Sequence, residues 1–191
     1  MKSLLKVIPL HKNEHALIKK ALKQNRDAQR VLFDSYAPKM LSVCRSYISD
    51  LQHAEEAMLN GFFKVFKKLH TYNGEGSFEG WIRRVMVRES LSYLRQKKRI
   101  DFLTDEVVTT HPFDDTIEND LGVNHIQTLI DALPEGYRVV FVMYAIEGYK
   151  HHEIAALLHI SEGTSKSQLF KARKLLQQHL LTFNNTSYGT N

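Results

Sequence analysis

The residues best suited to chemistry here bind rather than react. Lys166, Ser167, Phe170, Lys171 and Lys174 share the face of a helix left over once Leu169, Ala172, Leu176 and Leu180 form its apolar stripe. That face combines cations for phosphates with short polar groups for base edges, and no acid follows Glu162. A face made only for solubility alternates Glu with Lys. Upstream, Ile154, Ala155 and Leu158 mark a short buried helix, His159-Ile160 a tight link, and Ser161 an N-cap for the next helix. The spacing predicts a helix-turn-helix, whose second helix enters the DNA major groove. An ordinary helical hairpin with a solvated basic face is the plainer alternative.

A second surface lies at Tyr72–Arg99. It joins a turn-rich loop, Tyr72 to Ser77, to a basic helix opened by Phe78 and Trp81. Aromatic faces beside a positive groove suit single-stranded nucleic acid or a base flipped from its duplex. Tyr72 and Asn73, on the loop, are the candidates for direct base contact. Phe78 and Trp81 suit core packing as well as stacking. Arg83, Arg84 and Arg88 are candidate phosphate contacts.

Charge is segregated along the chain. Trp81–Arg99 holds Arg83, Arg84, Arg88, Arg95, Lys97, Lys98 and Arg99 against Glu89 alone, in a chain of net charge +5. From Ile100 to Gly122 there are only acids: Asp101, Asp105, Glu106, Asp114, Asp115, Glu118 and Asp120. This asymmetry predicts a nucleic-acid surface joined to an acidic linker.

Catalysis finds no support. His152-Glu153 begins a zinc-protease HExxH, but Ala156 holds the place of the second histidine. The histidines form no metal-spaced cluster, and Gly74-Glu75-Gly76 lacks the third glycine of a dinucleotide loop. We expect no catalytic residue, metal or cofactor. The lone Cys44 sits in an apolar helical pattern, as a small core residue. Without a second cysteine, a signal-like segment or a membrane-length apolar run, the expectation is a soluble cytoplasmic protein that does not insert into membranes.

Apolar periodicity predicts an all-α protein of two small helical domains joined by the acidic linker. Helices are expected from about Glu14 with Leu17, Ile18, Ala21 and Leu22 inward, and from Ala28 to Tyr36. Another should start at Pro38, and one should span Ala54 to Leu69. The second domain, from about Asn124, should bury Ile126, Leu129, Ile130 and Leu133. Val139 to Val142 is β-branched, but its surroundings are helical.

These blocks and their order resemble the bacterial RNA polymerase sigma factors of the extracytoplasmic-function type, group four of the sigma-70 family. The similarity runs from about Gln24 to Leu181. HAEEAMLNGFFKVFKKL resembles the family's polymerase-binding helix, and YNGEGSFEGWIRRVMVRESLSYLR its promoter-melting segment. EGYKHHEIAALLHISEGTSKSQLFKARKLL resembles its reader of the upstream promoter element. The resemblance implies a first helix in 1–23 and a sigma-2-like domain at 24–99. A linker at 100–123, a sigma-4-like helix-turn-helix domain at 124–182 and a disordered tail at 183–191 follow. It implies −35 contacts from Thr164, Ser165, Lys166, Ser167, Phe170, Lys171, Arg173 and Lys174. Contacts for −10 melting would come from Tyr72, Asn73, Phe78, Trp81, Arg83, Arg84, Arg88 and Arg95. Core polymerase would be bound by Asp50, Glu55, Glu56, Leu59, Asn60 and Phe63.

The implied partners are core RNA polymerase, through its clamp and flap, promoter DNA and an anti-sigma factor. The chain departs from the family pattern at Leu59-Asn60, where Gln and an acid are usual, and at Arg88, where Asn is usual. It departs again at His159, a turn position that favours glycine and needs positive φ, and at Ser165, usually Val. A helix-turn-helix regulator with a sensing or dimerising N-terminal domain is the rival reading.

Overall fold

The computed structural model describes residues 10–97 and 123–188, and the side-chain surroundings of 14–96 and 126–181. All the described regular structure is helical. The chain separates into two compact units, the first ending at Leu94 and the second beginning at Arg95. The acidic linker expected at residues 100–122 lies outside the described residues.

The first unit holds α1 (Leu10–Leu22), α2 (Arg26–Tyr47), α3 (Leu51–Lys67), a 3-10 turn (Leu69–Thr71) and α4 (Phe78–Lys97), whose last three residues run past the division at Leu94. Each break has a local cause. Asn25 caps α2 by accepting from the Ala28 N–H at 2.8 Å, and Asp50 caps α3 by accepting from the His53 N–H at 2.9 Å. Helix α1 begins four residues earlier than expected, at Leu10, and its Leu22 is exposed. Pro38 lies inside α2 and does not start a helix. The ring deprives the Asp34 carbonyl of its usual donor, but both residues are exposed and water can serve instead.

Tyr47, Phe78, Leu32, Met40, Leu69, Ile82, Met86, Val65 and Val87 fill the core of this unit. Gly61 sets the approach of α3 to α4, because a Cβ there would lie 2.3 Å from the Met86 Sδ. Cys44 is fully buried, as expected, and burial pushes its thiol up to about 11.

The second unit comprises α5 (Val123–Asp131), α6 (Glu135–Phe141) running into a π turn (Val142–Ile146), α7 (His151–Leu158) and α8 (Glu162–Tyr188). Val139, Val140, Val142 and Met143 are completely buried, and the β-branched stretch Val139 to Val142 is helical. Three residues of the expected apolar pattern are exposed: Ile126 on α5, Ile146 in the π turn and Leu180 on α8. Helix α8 also continues to Tyr188, through Asn184, where a disordered tail was expected. No proline or glycine interrupts the chain between Leu181 and Gly189, so nothing local ends the helix sooner.

Candidate nucleic-acid interface

The helix-turn-helix is built as its residues require. His159 ends α7 in the left-handed conformation at φ 57° and ψ 42°, and the Ile160 N–H donates to the Ala155 carbonyl at 3.1 Å. Ser161 then caps α8, its Oγ accepting from the Thr164 N–H at 2.9 Å. At the other end of α7 the Glu153 carboxylate accepts from the Lys150 N–H at 2.8 Å.

On α8, Lys166, Ser167, Phe170, Arg173 and Lys174 are exposed, while Leu169 and Ala172 face the core. Phe170 is 70% exposed, an unusual state for a large aromatic with no ligand role. Ser167 Oγ donates to the Thr164 carbonyl at 3.0 Å, and Lys166 pairs loosely with Glu162 at 3.9 Å. Lys171 and Arg173 rest on rings at the edge of this face. Lys171 Nζ lies 6.0 Å from the Tyr137 centroid, and the Arg173 guanidinium 5.6 Å from that of Tyr144.

Two of the expected −35 contacts are used otherwise. Ser165 is fully buried, and its Oγ bonds His151 Nδ1 at 2.9 Å. It cannot reach a base edge, because position 165 falls on the Leu169 and Ala172 side of the helix. Thr164 is half-buried and its Oγ1 is tied to Ser161 Oγ at 2.9 Å, so it serves the cap.

The sequence reading missed His151 and Tyr144. Their rings stack at 4.6 Å and 23°, making a continuous column from Arg173 through Tyr144 and His151 to Ser165. Burial, with Lys166 next, holds His151 below its usual pKa. The signal lay in Ser165 itself, a polar group four residues before core Leu169 that needs an internal partner.

In the first unit, Tyr72, Phe78 and Trp81 form one aromatic cluster. Tyr72 stands 5.1 Å from Phe78 and 5.7 Å from Trp81, and Phe78 stacks on Trp81 at 5.8 Å. Phe78 also meets Tyr36 at 5.7 Å and is buried to 1% exposure, so it is a core wedge and not a stacking face. Tyr72 and Trp81 keep partly open rings above it. The Tyr72 hydroxyl donates to the Gly76 carbonyl at 2.9 Å, and Asn73 Oδ1 accepts from the Glu75 N–H at 3.2 Å. Gly74 and Gly76 permit the turn with φ of 84° and 75°.

Arg84, Arg88 and Arg95 are exposed and lie, by helical spacing, on the side of α4 that Trp81 opens. Arg83 points elsewhere and is half-buried. On α3, Glu55, Glu56, Leu59, Asn60 and Phe63 are all exposed on its outer side, with Leu59 54% and Phe63 68% uncovered. Asp50 is exposed at the start of that helix, but its carboxylate already serves as the cap. Leu51, 55% exposed, extends the apolar part of this surface and was not anticipated.

A basic helix-turn-helix in one unit, and an aromatic loop with an arginine-lined helix in the other, define a two-part reader of nucleic acid. Comparison with known proteins agrees. Residues 32–100 match the model of sigma-70 region 2, and residues 124–176 that of sigma-70 region 4. The sigma-E factor of Haemophilus influenzae, an ECF RNA polymerase sigma factor, is 24% identical over 180 residues, 87% of this chain and 95% of its own. The ECF factor SigW of Bacillus subtilis is 26% identical over 182 residues, 86% of this chain and 97% of its own. SigE of Mycolicibacterium smegmatis is 32% identical over 141 residues, 70% of this chain and 54% of its own.

Two solved structures share the fold. One is CnrH in complex with the cytosolic domain of CnrY, with a TM-score of 0.50 and 18% identity over 87% of this chain and 96% of that one. The other is the sigma factor RpoE with the anti-sigma factor NepR from Bartonella quintana, with a TM-score of 0.51 and 21% identity over 79% and 95%. The chain belongs to the sigma-70 family, in its extracytoplasmic-function group. It is a transcription initiation factor that binds core RNA polymerase and directs it to promoters through their −35 and −10 elements.

Proposed function

We propose how that work is divided among the residues. The carrying observation is the outward face of α8, where Lys166, Ser167, Phe170 and Lys174 stand exposed just after a well-formed turn. This face enters the −35 major groove. Lys171 and Arg173, braced on tyrosines, take flanking phosphates. In the first unit Tyr72, Asn73 and Trp81 receive a base displaced from the −10 duplex, while Arg84, Arg88 and Arg95 hold the backbone of the opened strand. The outer side of α3, centred on Leu59 and Phe63, docks on the polymerase clamp, and the second unit meets the flap.

The functional boundaries remain 24–99 and 124–182, preceded by 1–23 and bridged by 100–123, whose carboxylates run toward the RNA exit path. An anti-sigma factor is the expected regulator, since both solved relatives above were captured with partners, one named as an anti-sigma factor. Exposed Ile126, Ile146, Leu180 and Leu181 supply apolar surface for a partner of the second unit. The protein acts by binding and has no catalytic centre of its own. Among the described residues no helix is long and apolar enough to cross a membrane.

The division is tested by photocrosslinking in assembled holoenzyme on a mapped promoter. A photoreactive residue at 170 should label the −35 duplex, one at 72 the −10 region, and one at 63 the polymerase. Labelling of polymerase from 170, or of DNA from 63, would overturn it.

A further inference from the structure

Helix α1 and the turn after it carry a set of cations that the functions above do not use. From His15 to Arg26 the chain has Lys19, Lys20, Lys23 and Arg26 and no acid. All four are exposed, and none has an ion pair among the described residues. Three other cations of this unit are matched, Arg30 with Asp34, Lys39 with Glu79 and Lys64 with Glu89, while Lys67 and Lys68 at the end of α3 and Arg84 and Arg88 on α4 also stand without an ion pair among the described residues. Ile18 and Ala21 are buried, so by helical spacing Lys19, Lys20 and Lys23 project outward.

These lysines are not needed to cap α1. Gln24, left-handed at φ 59°, donates its N–H to the Ala21 carbonyl at 3.0 Å. The Lys23 and Asn25 N–H groups donate to the Lys20 carbonyl at 3.0 and 3.2 Å. The same turn, locked by the Asn25 cap, keeps Lys23 close to Arg26.

The other end of α1 reaches the aromatic cluster. Tyr36 donates its hydroxyl to Glu14, and the Tyr36 ring lies 5.7 Å from Phe78, the floor beneath Tyr72 and Trp81. Helix α1 also packs on the Leu69–Thr71 turn that leads into Tyr72. From Glu14 to Lys23 the helix extends about 14 Å at 1.5 Å per residue.

We propose that Lys19, Lys20, Lys23 and Arg26 form a phosphate track that holds the opened promoter strand beyond the base captured at Tyr72 and Trp81. The inference rests on the melting role assigned to that cluster. The ligand is single-stranded DNA, because the helix that carries the track starts at the site where a base would leave the duplex, and four exposed cations surround the one exposed large apolar side chain there, Leu22.

The test uses holoenzyme on two templates: a promoter with a pre-opened bubble, and an upstream duplex carrying only the −35 element. Affinity is measured against salt for Lys19→Ala/Lys23→Ala, for the milder Lys19→Gln/Lys23→Gln, and for Arg84→Ala. Losing two single-strand phosphate contacts should lower the logarithmic salt slope on the bubble by about 1.4. The −35 duplex and core polymerase should be bound as before. An unchanged slope on the bubble overturns the track. So does weakened core binding, which would make the patch a polymerase contact. Arg84→Ala separates the two readings: if it too leaves the bubble slope unchanged, the melting surface itself is misassigned.

Discussion

Replacing Phe63 with alanine should separate folding from polymerase binding. A phenylalanine can bury roughly 200 Å². With 68% of Phe63 uncovered, about 140 Å² remains for a partner and about 60 Å² is already used within the unit. At about 25 cal/mol/Å² those areas correspond to about 3.5 kcal/mol of docking and about 1.5 kcal/mol of folding, both upper values. Alanine's better helix propensity returns about 0.5 kcal/mol in the middle of α3, so the net folding cost is about 1 kcal/mol. Phe63→Ala should therefore weaken core polymerase binding by about 30- to 100-fold while lowering stability modestly. Fluorescence anisotropy against core enzyme reads the first quantity, and urea unfolding the second. Core affinity within about threefold of the parent would refute the assignment of α3. A stability loss as large as the binding loss would show that Phe63 is packed more deeply than its exposure says.

Four further outcomes follow from particular contacts. Phe170→Ala should leave the melting temperature of the second unit unchanged and reduce −35 fragment binding by holoenzyme about tenfold; equal binding would remove Phe170 from the groove. Gly61→Ala should destabilise the first unit by up to about 2 kcal/mol in urea titration. The clash with buried Met86 costs roughly 1–3 kcal/mol and outweighs the helix gain of about 1 kcal/mol. His159→Gly should stabilise the second unit by about 1 kcal/mol, since glycine adopts the left-handed conformation without strain; a lower melting temperature would contradict that. The folded-state pKa of His151 is depressed, so its contribution is fully present above about 6.5, the ordinary histidine value, and is lost as pH falls below it. The second unit should weaken on acidification through that range, and His151→Phe should flatten the profile; an unaltered profile would exclude His151 as the source.

Much of this protein is written locally. The caps at Asn25, Asp50 and Ser161 and the left-handed His159 are short-range devices, and each falls where its residue type allows. The aromatic cluster and the basic face of α8 are legible for the same reason, being made by neighbours along the chain. What the sequence concealed depends on partners distant in the chain. Phe78 suited core packing as well as stacking, and the approach of Tyr36 from α2 shows it packed. Ser165 looked like a contact until His151, fourteen residues away, was found to hold it. Pro38 misled because its preference to begin a helix is weaker than the packing on both sides of it, where Tyr36 and Met40 are buried. Ile126 and Leu180 have helical periodicity yet remain uncovered, because periodicity marks a face of the helix and not what packs against it.

The most direct measurement is run-off transcription by purified core RNA polymerase with this protein and a library of host DNA fragments. Transcripts should begin downstream of one shared pair of −35 and −10 elements, and Lys166→Ala/Phe170→Ala should abolish them while leaving core binding intact. Failure of the intact protein to bind core enzyme or to start transcription, together with specific binding of duplex DNA by the protein alone, would contradict the account.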